Sequence, residues 1–293
     1  MQPPAAVPAA LRGRPFTVAM AHEAGVPVSR LRSSVFRRLY RGVYVTADTA
    51  DSLRLRCAAV GLLMPDGAAF SHATSLALRG YDTQADGHIH VSVPAPQPAP
   101  RSRAGVSVHR TRLPLDRELV AGIVTTSAGR TMLDLAGGMH DDELVVVGDH
   151  LARWYGGVAT LTADVVGVAR HPGAARVRRA LARVREGVDS PQESRLRLAI
   201  VRFGLPEPEV NVTVLDQAGE WLGQADLAYL RHRVAMQYEG DVHRSRRRWR
   251  QDVARDEAYR AEGWQVLRAT ADDVLRPRRF CLRLEQALLR SSG

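Results

Sequence analysis

The sequence predicts a mixed α/β protein in three blocks, the last of them a three-layer α-β-β-β-α-β-α unit with a mixed sheet. Three observations lead there. Helical and period-two apolar patterns alternate along the chain instead of segregating. Turn residues such as Asp216-Gln217-Ala218-Gly219-Glu220 separate extended segments. With 293 residues, the chain has room for two domains or three small ones.

The first block is residues 1–50. Thr17 is placed to cap a helix ending near Gly25, Val26-Pro27-Val28 turns the chain, and Ser29 is placed to cap a second helix. Arg38-Leu39-Tyr40-Arg41-Gly42-Val43-Tyr44-Val45 reads as a short strand or wing. Two helices and a wing make a winged-helix DNA-binding module, with Arg30, Arg32 and Arg37 as groove and phosphate contacts. A plain helical hairpin with scattered arginines fits the same residues.

The middle block, residues 51–187, mixes helices with strands and ends in arginine-rich helical sequence from Ala174 to Arg185. Its clearest strand is His88-Ile89-His90-Val91-Ser92-Val93, where alternation puts His88, His90 and Ser92 on one face and the aliphatics on the other. His88 and His90 are possible metal ligands, but no third ligand stands nearby in sequence, and an exposed strand face is the favoured reading of both. The proline-rich run from Pro94 to Pro100 reads as a loop.

The last block is residues 188–293. Ser190-Pro191-Gln192-Glu193 opens a helix running to about Phe203, with proline in the first turn where its missing donor does no harm. Extended segments follow at Glu209 to Leu215, Trp221 to Tyr229 and Val234 to Tyr238. A helix from about Arg247 to Glu262, a strand at Trp264 to Arg268 and a closing helix complete it.

Composition narrows the partners. The net charge is +10 and all 41 Lys+Arg residues are arginine. Arginine forks grip phosphate bidentately, so an anionic polymer is a natural partner, although a GC-rich genome also replaces lysine with arginine. Cys57 and Cys281 lie far apart and outside any C-x-x-C, which predicts neither a disulfide framework nor a zinc knuckle, and a reducing, cytoplasmic setting. Three prolines break the N-terminal apolar run and no basic n-region precedes it, so no secretory leader is expected. No stretch approaches the roughly 18 apolar residues of a membrane span.

The chemistry concentrates between Asp226 and His243. Period-two alternation sends Gln237 and Glu239 to one face of their strand, and Asp226 on the neighbouring strand reaches that face if the register is right. A hard cation such as Mg²⁺ takes oxygen ligands at roughly 2.0–2.1 Å, commonly one or two carboxylates with waters and substrate phosphate. Such an ion activates water and stabilises the leaving oxygen in phosphodiester hydrolysis.

These residues, in this order of elements, resemble the PD-(D/E)XK nuclease superfamily, and more narrowly the domains similar to very-short-patch-repair endonucleases. The pattern is an acid before the second core strand, E-x-D-G-x-x-H on the third, a D-x-x-R helix and a G-W-x-V-x-R strand. This chain has Asp226, Gln237-Tyr238-Glu239-Gly240-Asp241-Val242-His243, Asp252 with Arg255, and Gly263-Trp264-Gln265-Val266-Leu267-Arg268, a match spanning roughly residues 188 to 285. The resemblance implies a restriction-endonuclease-like fold and a Mg²⁺- or Mn²⁺-dependent endodeoxyribonuclease. It makes Asp226, Gln237, Glu239, His243 and Glu193 the catalytic set, Asp226 and Glu239 the metal ligands, and Asp252 and Arg255 their support. The chain departs from it at Gln237, which replaces a glutamate and removes a charge, and in having no lysine to fill the superfamily's lysine position.

Several of these residues have competing roles. Glu193 suits the metal site, and in Ser190-x-x-Glu193 it also suits a capping box. His243 is placed either for proton transfer or as a surface histidine beside an arginine run. Asp241 fits a turn. Asp252 and Arg255, one helical turn apart, suit a surface pair as well as a support for the site. Arg244, Arg246, Arg247, Arg248 and Arg250 suit phosphate contact, and Trp249 either stacks on a base or anchors its helix.

Upstream, residues 14–48, Ser71-His72-Ala73-Thr74, the stretch from Thr125 to Ala136, and Asp149 resemble AbiEi-type antitoxins, a winged helix joined to a mixed domain. This resemblance marks His72, Arg130 and Asp134, implies repression by DNA binding, and admits a toxin partner. Two functions are therefore expected: a DNA-binding, metal-dependent endonuclease, or a non-catalytic repressor keeping a degenerate nuclease fold.

Overall fold

The structure, a computed structural model, describes residues 6–83, 87–97, 104–167, 170–240 and 257–291. The chain is a mixed α/β protein with three sheets. Its contacts divide the chain into two units, Met1–Leu135 with Val168–Pro172, and Ala136–Gly167 with Gly173–Gly293. The span 51–187, read from sequence as one block, is thus shared between both.

The first unit opens with β1 (Phe16–Thr17) and α1 (Val18–Glu23), and the Thr17 hydroxyl caps the helix by accepting the Met20 amide at 3.2 Å. The expected second helix is a 3-10 segment, Val28–Arg32; it follows Pro27, so Ser29 lies inside it instead of capping it. The stretch expected as a short strand or wing is a hairpin, β2 (Phe36–Tyr40) and β3 (Val43–Thr46), turned at Gly42 with φ 82°. Only glycine adopts that backbone without strain. The sheet order is β1-β3-β2, and Phe16 and Phe36 meet edge to face in the core beneath it.

After α2 (Leu53–Gly61), capped by Ser52, come β4 (Ala69–Phe70), α3 (His72–Leu78), β5 (Ile89–Pro94), β6 (Val106–Thr111), β7 (Arg117–Val120), β8 (Ile123–Thr126) and α4 (Ala128–Leu135). The sheet order is β6-β5-β4-β8-β7. Ile89 and Val91 of β5 and Val106 and Val108 of β6 pack with Phe70 and α2, as alternation predicts. The opposite, polar face meets α3, where the Thr74 hydroxyl accepts the His90 amide at 2.8 Å.

α3 and α4 are joined by a buried polar network. Ser75 and Thr131 share a hydroxyl hydrogen bond of 2.8 Å, and the Arg79 guanidinium, 1% exposed, donates to Thr126 O at 2.7 Å and pairs with Glu118. The two sequence stretches beginning at Ser71 and Thr125 therefore fold as partners.

The second unit contains α5 (Asp141–Trp154), α6 (Val158–Val166), α7 (Ala174–Leu181) and α8 (Pro191–Phe203). Next come β9 (Glu209–Leu215), β10 (Trp221–Tyr229), β11 (Val234–Tyr238), a helix α9 described over residues 257–261, β12 (Gln265–Ala269), α10 (Ala271–Leu275) and α11 (Arg278–Arg290). The sheet order is β12-β11-β10-β9, with β11 and β12 parallel and the other neighbours antiparallel. One face packs Leu227, Val234, Met236 and Leu267 against Leu196 and Ile200 of α8 and Phe280 and Leu284 of α11. The other packs Ala228 and Ala235 against Tyr259 of α9, giving three layers. Fully burying each such aliphatic or aromatic side chain contributes about 1.5–3 kcal/mol.

α8 is fastened to α5 by a buried ion pair. Arg197 and Asp149, each with a side chain 1% exposed, meet at 2.8 Å, and Asp149 also accepts the Ser194 hydroxyl at 2.7 Å and the Arg185 amide at 2.8 Å. The role of Asp149 is thus to hold helices together.

Candidate functional site

The sheet of the second unit opens into a fork between β10 and β11. Their pairing covers Tyr229↔Val234, Ala228↔Ala235 and Leu227↔Met236, whereas β11 stays paired with β12 over all five residues. Beyond Met236, β11 follows β12, and the Glu239 amide donates to Ala269 O at 2.7 Å. Backbone groups that lose a ladder partner need another. Asp226 Oδ2 accepts the Tyr238 amide at 2.6 Å, and Gln237 Nε2 donates to Gln224 O at 2.6 Å. Asp226 and Gln237 therefore meet at the fork, each committed to a neighbouring strand.

Glu193 reaches this place from the first turn of α8. Its carboxylate accepts the Ser190 hydroxyl at 2.7 Å and the Asp189 amide at 3.0 Å, and Ser190 Oγ accepts the Glu193 amide at 3.3 Å. Ser190 thus caps the helix, while Glu193 reaches the amide before the N-cap and not that of Ser190, which a capping box requires. It is also 7% exposed. Burial first, and then the nearby Asp226 charge, push its pKa up to about 7, against hydrogen bonds from Ser190 and Asp189 that lower it. The effect of Asp226 links Glu193 electrostatically to the fork.

Glu239 forms an ion pair with Arg268, the β12 residue aligned with Gln237. Glu193, Asp226 and Glu239 do not close into a set whose ligand atoms all lie within 4.8 Å of one another. The fork thus offers Asp226 and the Gln237 amide, with Glu193 on α8 feeling the Asp226 charge and Glu239 held by a guanidinium.

Of the other expected site residues, His243, Asp252, Arg255, Arg244, Arg246, Arg247, Arg248, Trp249 and Arg250, with Asp241, lie outside the described residues. In the first unit Arg32 is exposed and Arg30 partly buried. Arg37 donates to Thr49 O at 2.9 Å, bracing its own hairpin.

A second constellation lies on the polar face of the β4–β8 sheet. His90 on β5 and His109 on β6 are two residues out of register, His90 aligning with Ser107, and His90 Nδ1 lies 3.0 Å from His109 Nε2. His72, the first residue of α3, stacks on His109 with ring centroids 3.7 Å apart. Among the described residues these three form the group of His, Cys, Asp and Glu side chains whose ligand atoms all lie within 4.8 Å of one another. Burial lowers the His72 pKa to about 4, against the pull of Asp134, so the ring is neutral near pH 7. His88, named with His90 as a possible ligand but read as part of an exposed strand face, meets Ser107 Oγ at 2.9 Å.

Asp134 stands behind His72. Its Oδ1 accepts Arg130 Nε at 2.8 Å and lies 3.4 Å from His171 Nε2. Its buried Oδ2 has no hydrogen-bond partner among the described residues and lies 3.9 Å from His72 Nδ1. Burial raises the Asp134 pKa, but His171, Arg130 and His72 outweigh it and hold the carboxyl below its usual range. Period two already put His90 on the polar face of β5, and the same reading of Val106-Ser107-Val108-His109 puts His109 on the polar face of β6. What sequence did not supply was that β5 and β6 pair in parallel and that α3 delivers His72 above them.

No protein-family model matches the chain. It is similar to uncharacterized proteins of Mycobacterium tuberculosis, from strain CDC 1551 / Oshkosh and strain ATCC 25618 / H37Rv, each 26% identical over 257 residues. The similarity covers 87% of this chain and 93% of each relative, so it extends through both units.

Proposed function

We propose that the chain is a DNA-binding protein whose second unit is a PD-(D/E)XK-type, metal-dependent endonuclease domain. The observation that carries this reading is the β10–β11 fork, where Asp226 accepts the Tyr238 amide at 2.6 Å and Gln237 donates to Gln224 O at 2.6 Å, with Glu193 on α8 raised above the usual carboxylate range by burial and then by the Asp226 charge. The half-buried Asp226 and the buried Glu193 repel each other when both are ionised, and a divalent ion relieves that repulsion. The donors are all oxygen, as Mg²⁺ or Mn²⁺ requires, and one or two carboxylates suffice when waters and phosphate complete the shell. Asp226 and Glu193 would hold the ion, the Gln237 carbonyl would assist, and Glu239 would join on leaving Arg268. When bound, the ion would supply an activated water and charge for the leaving oxygen. The residues of the chain orient that site: the Tyr238 amide fixes Asp226, and Ser190 and Asp189 fix Glu193. His243 is the proton-transfer group in this reading.

The first fifty residues are proposed as the winged-helix module that docks duplex DNA, with exposed Arg32 among its phosphate contacts. The arginine content supports an anionic partner in general. The test is a plasmid and oligonucleotide assay with Mg²⁺ or Mn²⁺ on the full chain and on Asp226→Asn. Cleavage by the wild type and its loss in the variant are expected, and intact substrates with both proteins would overturn the enzymatic reading.

A second reading is favoured by the Glu239–Arg268 ion pair and the neutral Gln237, which together remove two charges from a metal site. It is an AbiEi-like, non-catalytic repressor, with or without a toxin partner, that uses a nuclease-type fold as a basic clamp. It predicts salt-sensitive DNA binding unchanged by Asp226→Asn and no cleavage.

A further inference from the structure

We propose that His72, His90 and His109 form a site for a divalent transition metal of the zinc type, separate from the oxygen-donor fork of the second unit. Three imidazoles with a vacant fourth position make a recognised zinc donor set, and nitrogen donors exclude Mg²⁺ as its natural ion.

The spacing fits. Metal–nitrogen bonds of about 2.0–2.1 Å in a tetrahedral shell put ligand nitrogens about 3.3 Å apart. His90 Nδ1 and His109 Nε2 are 3.0 Å apart, and the third ligand atom lies within 4.8 Å of both. Two of the ligands stand on paired strands, a rigid support for a metal site.

His72 is the ligand that must turn. Its ring lies parallel to that of His109, with planes 16° apart, so its lone pair runs alongside its neighbour's. Rotation about its terminal torsion, which has broad wells, aims Nε2 at the pair. In the present ring position Nδ1 meets the Ser71 hydroxyl at 2.9 Å and lies 3.9 Å from the Asp134 carboxylate. A metal-bound histidine usually gives its other nitrogen to such a partner, which fixes the ring and raises its basicity.

Two further features agree with this role. His72 has φ 50°, a left-handed backbone that a non-glycine residue adopts at a cost and that clusters at functional sites. The unpartnered Asp134 Oδ2 is a buried anionic atom at the edge of the cluster, available to balance a cation. Arg130 is the opposing positive charge, and its ion pair with Asp134 at 2.8 Å offsets it.

The competing state is a metal-free cluster held by the His90–His109 hydrogen bond. The experiment is Co²⁺ titration of the full chain after chelator treatment, followed by Zn²⁺ displacement and X-ray absorption of the zinc-loaded protein. One equivalent of Co²⁺ with the intense visible absorption of a four-coordinate centre is expected, displaced by Zn²⁺, with a shell of three imidazoles. His90→Ala and His109→Ala are each expected to lower the affinity at least tenfold. Absence of stoichiometric binding, or unchanged affinity in the two folded variants, would overturn the site. If either variant fails to fold, the wild-type X-ray absorption decides: a shell without three imidazoles overturns it.

Discussion

Asp226 accepts the Tyr238 amide at 2.6 Å, one step beyond the last paired residues of β10 and β11. The carboxylate thereby replaces a missing backbone acceptor at the point where the sheet opens. Asp226→Ala strands that donor and is expected to destabilise the second unit by about 1–3 kcal/mol. Asp226→Asn retains an acceptor and should cost less than the alanine change. Urea denaturation of the three proteins checks this, and the asparagine variant becomes the one suited to functional assays.

Glu193 gives the second unit a particular pH dependence. Its pKa rises from 4.5 in the unfolded chain to about 7 in the folded one. Between those values the native state binds more protons than the unfolded state, so stability falls as pH rises. Its share is fully present below the unfolded pKa and is lost as pH climbs towards 7, roughly 1–3 kcal/mol in all. Glu193→Gln removes the dependence while keeping an acceptor for Ser190. Denaturation midpoints between pH 4.5 and pH 7 should therefore slope less in the variant.

Buried and exposed ion pairs should behave differently on α8. Arg197–Asp149 is sealed, each side chain 1% exposed, whereas Arg202–Asp142 leaves the arginine 66% exposed. Asp149→Ala is expected to cost about 1–3 kcal/mol, because it removes one carboxylate from the buried Arg197 guanidinium and the acceptor of the Ser194 hydroxyl and Arg185 amide, while Glu207 still pairs with Arg197 at 2.6 Å. Arg202→Ala should cost about 0–1 kcal/mol. Thermal or chemical denaturation of both variants measures the contrast.

The arginines of the N-terminal module should also divide by structural commitment. On the proposed DNA-binding reading, exposed Arg32 contacts phosphate, and its alanine variant should lower the salt dependence of DNA affinity by about one contact without unfolding the first fifty residues. Arg37 braces Thr49 O, so Arg37→Ala should also lower stability. Fluorescence anisotropy at several salt concentrations, paired with thermal melts, separates the two effects.

Much of this architecture was legible from local rules. Thr17 and Ser190 cap where their spacing predicts, and β9 to β11 fall on the expected alternating segments. Local rules failed where tertiary pairing decides. Ser29 lost its capping role because Pro27 started the turn earlier, and of the two readings of Arg38 to Val45, strand or wing, a hairpin turned at Gly42 is the one found. The Glu239–Arg268 pair depends on parallel register between strands separated by a helix, which no local pattern carries. The histidine cluster depends on three elements meeting, while sequence exposed only the His88–His90 alternation.

The account turns on whether Asp226 and Glu193 form a cation-binding pair. The most direct measurement is NMR titration of the Glu193 side-chain carboxyl in the full chain, without and with Mg²⁺. The account predicts a midpoint near pH 7 without the ion and a clear downward shift with it, a shift lost in Asp226→Asn. An unchanged midpoint on adding saturating Mg²⁺ and Mn²⁺ would contradict it.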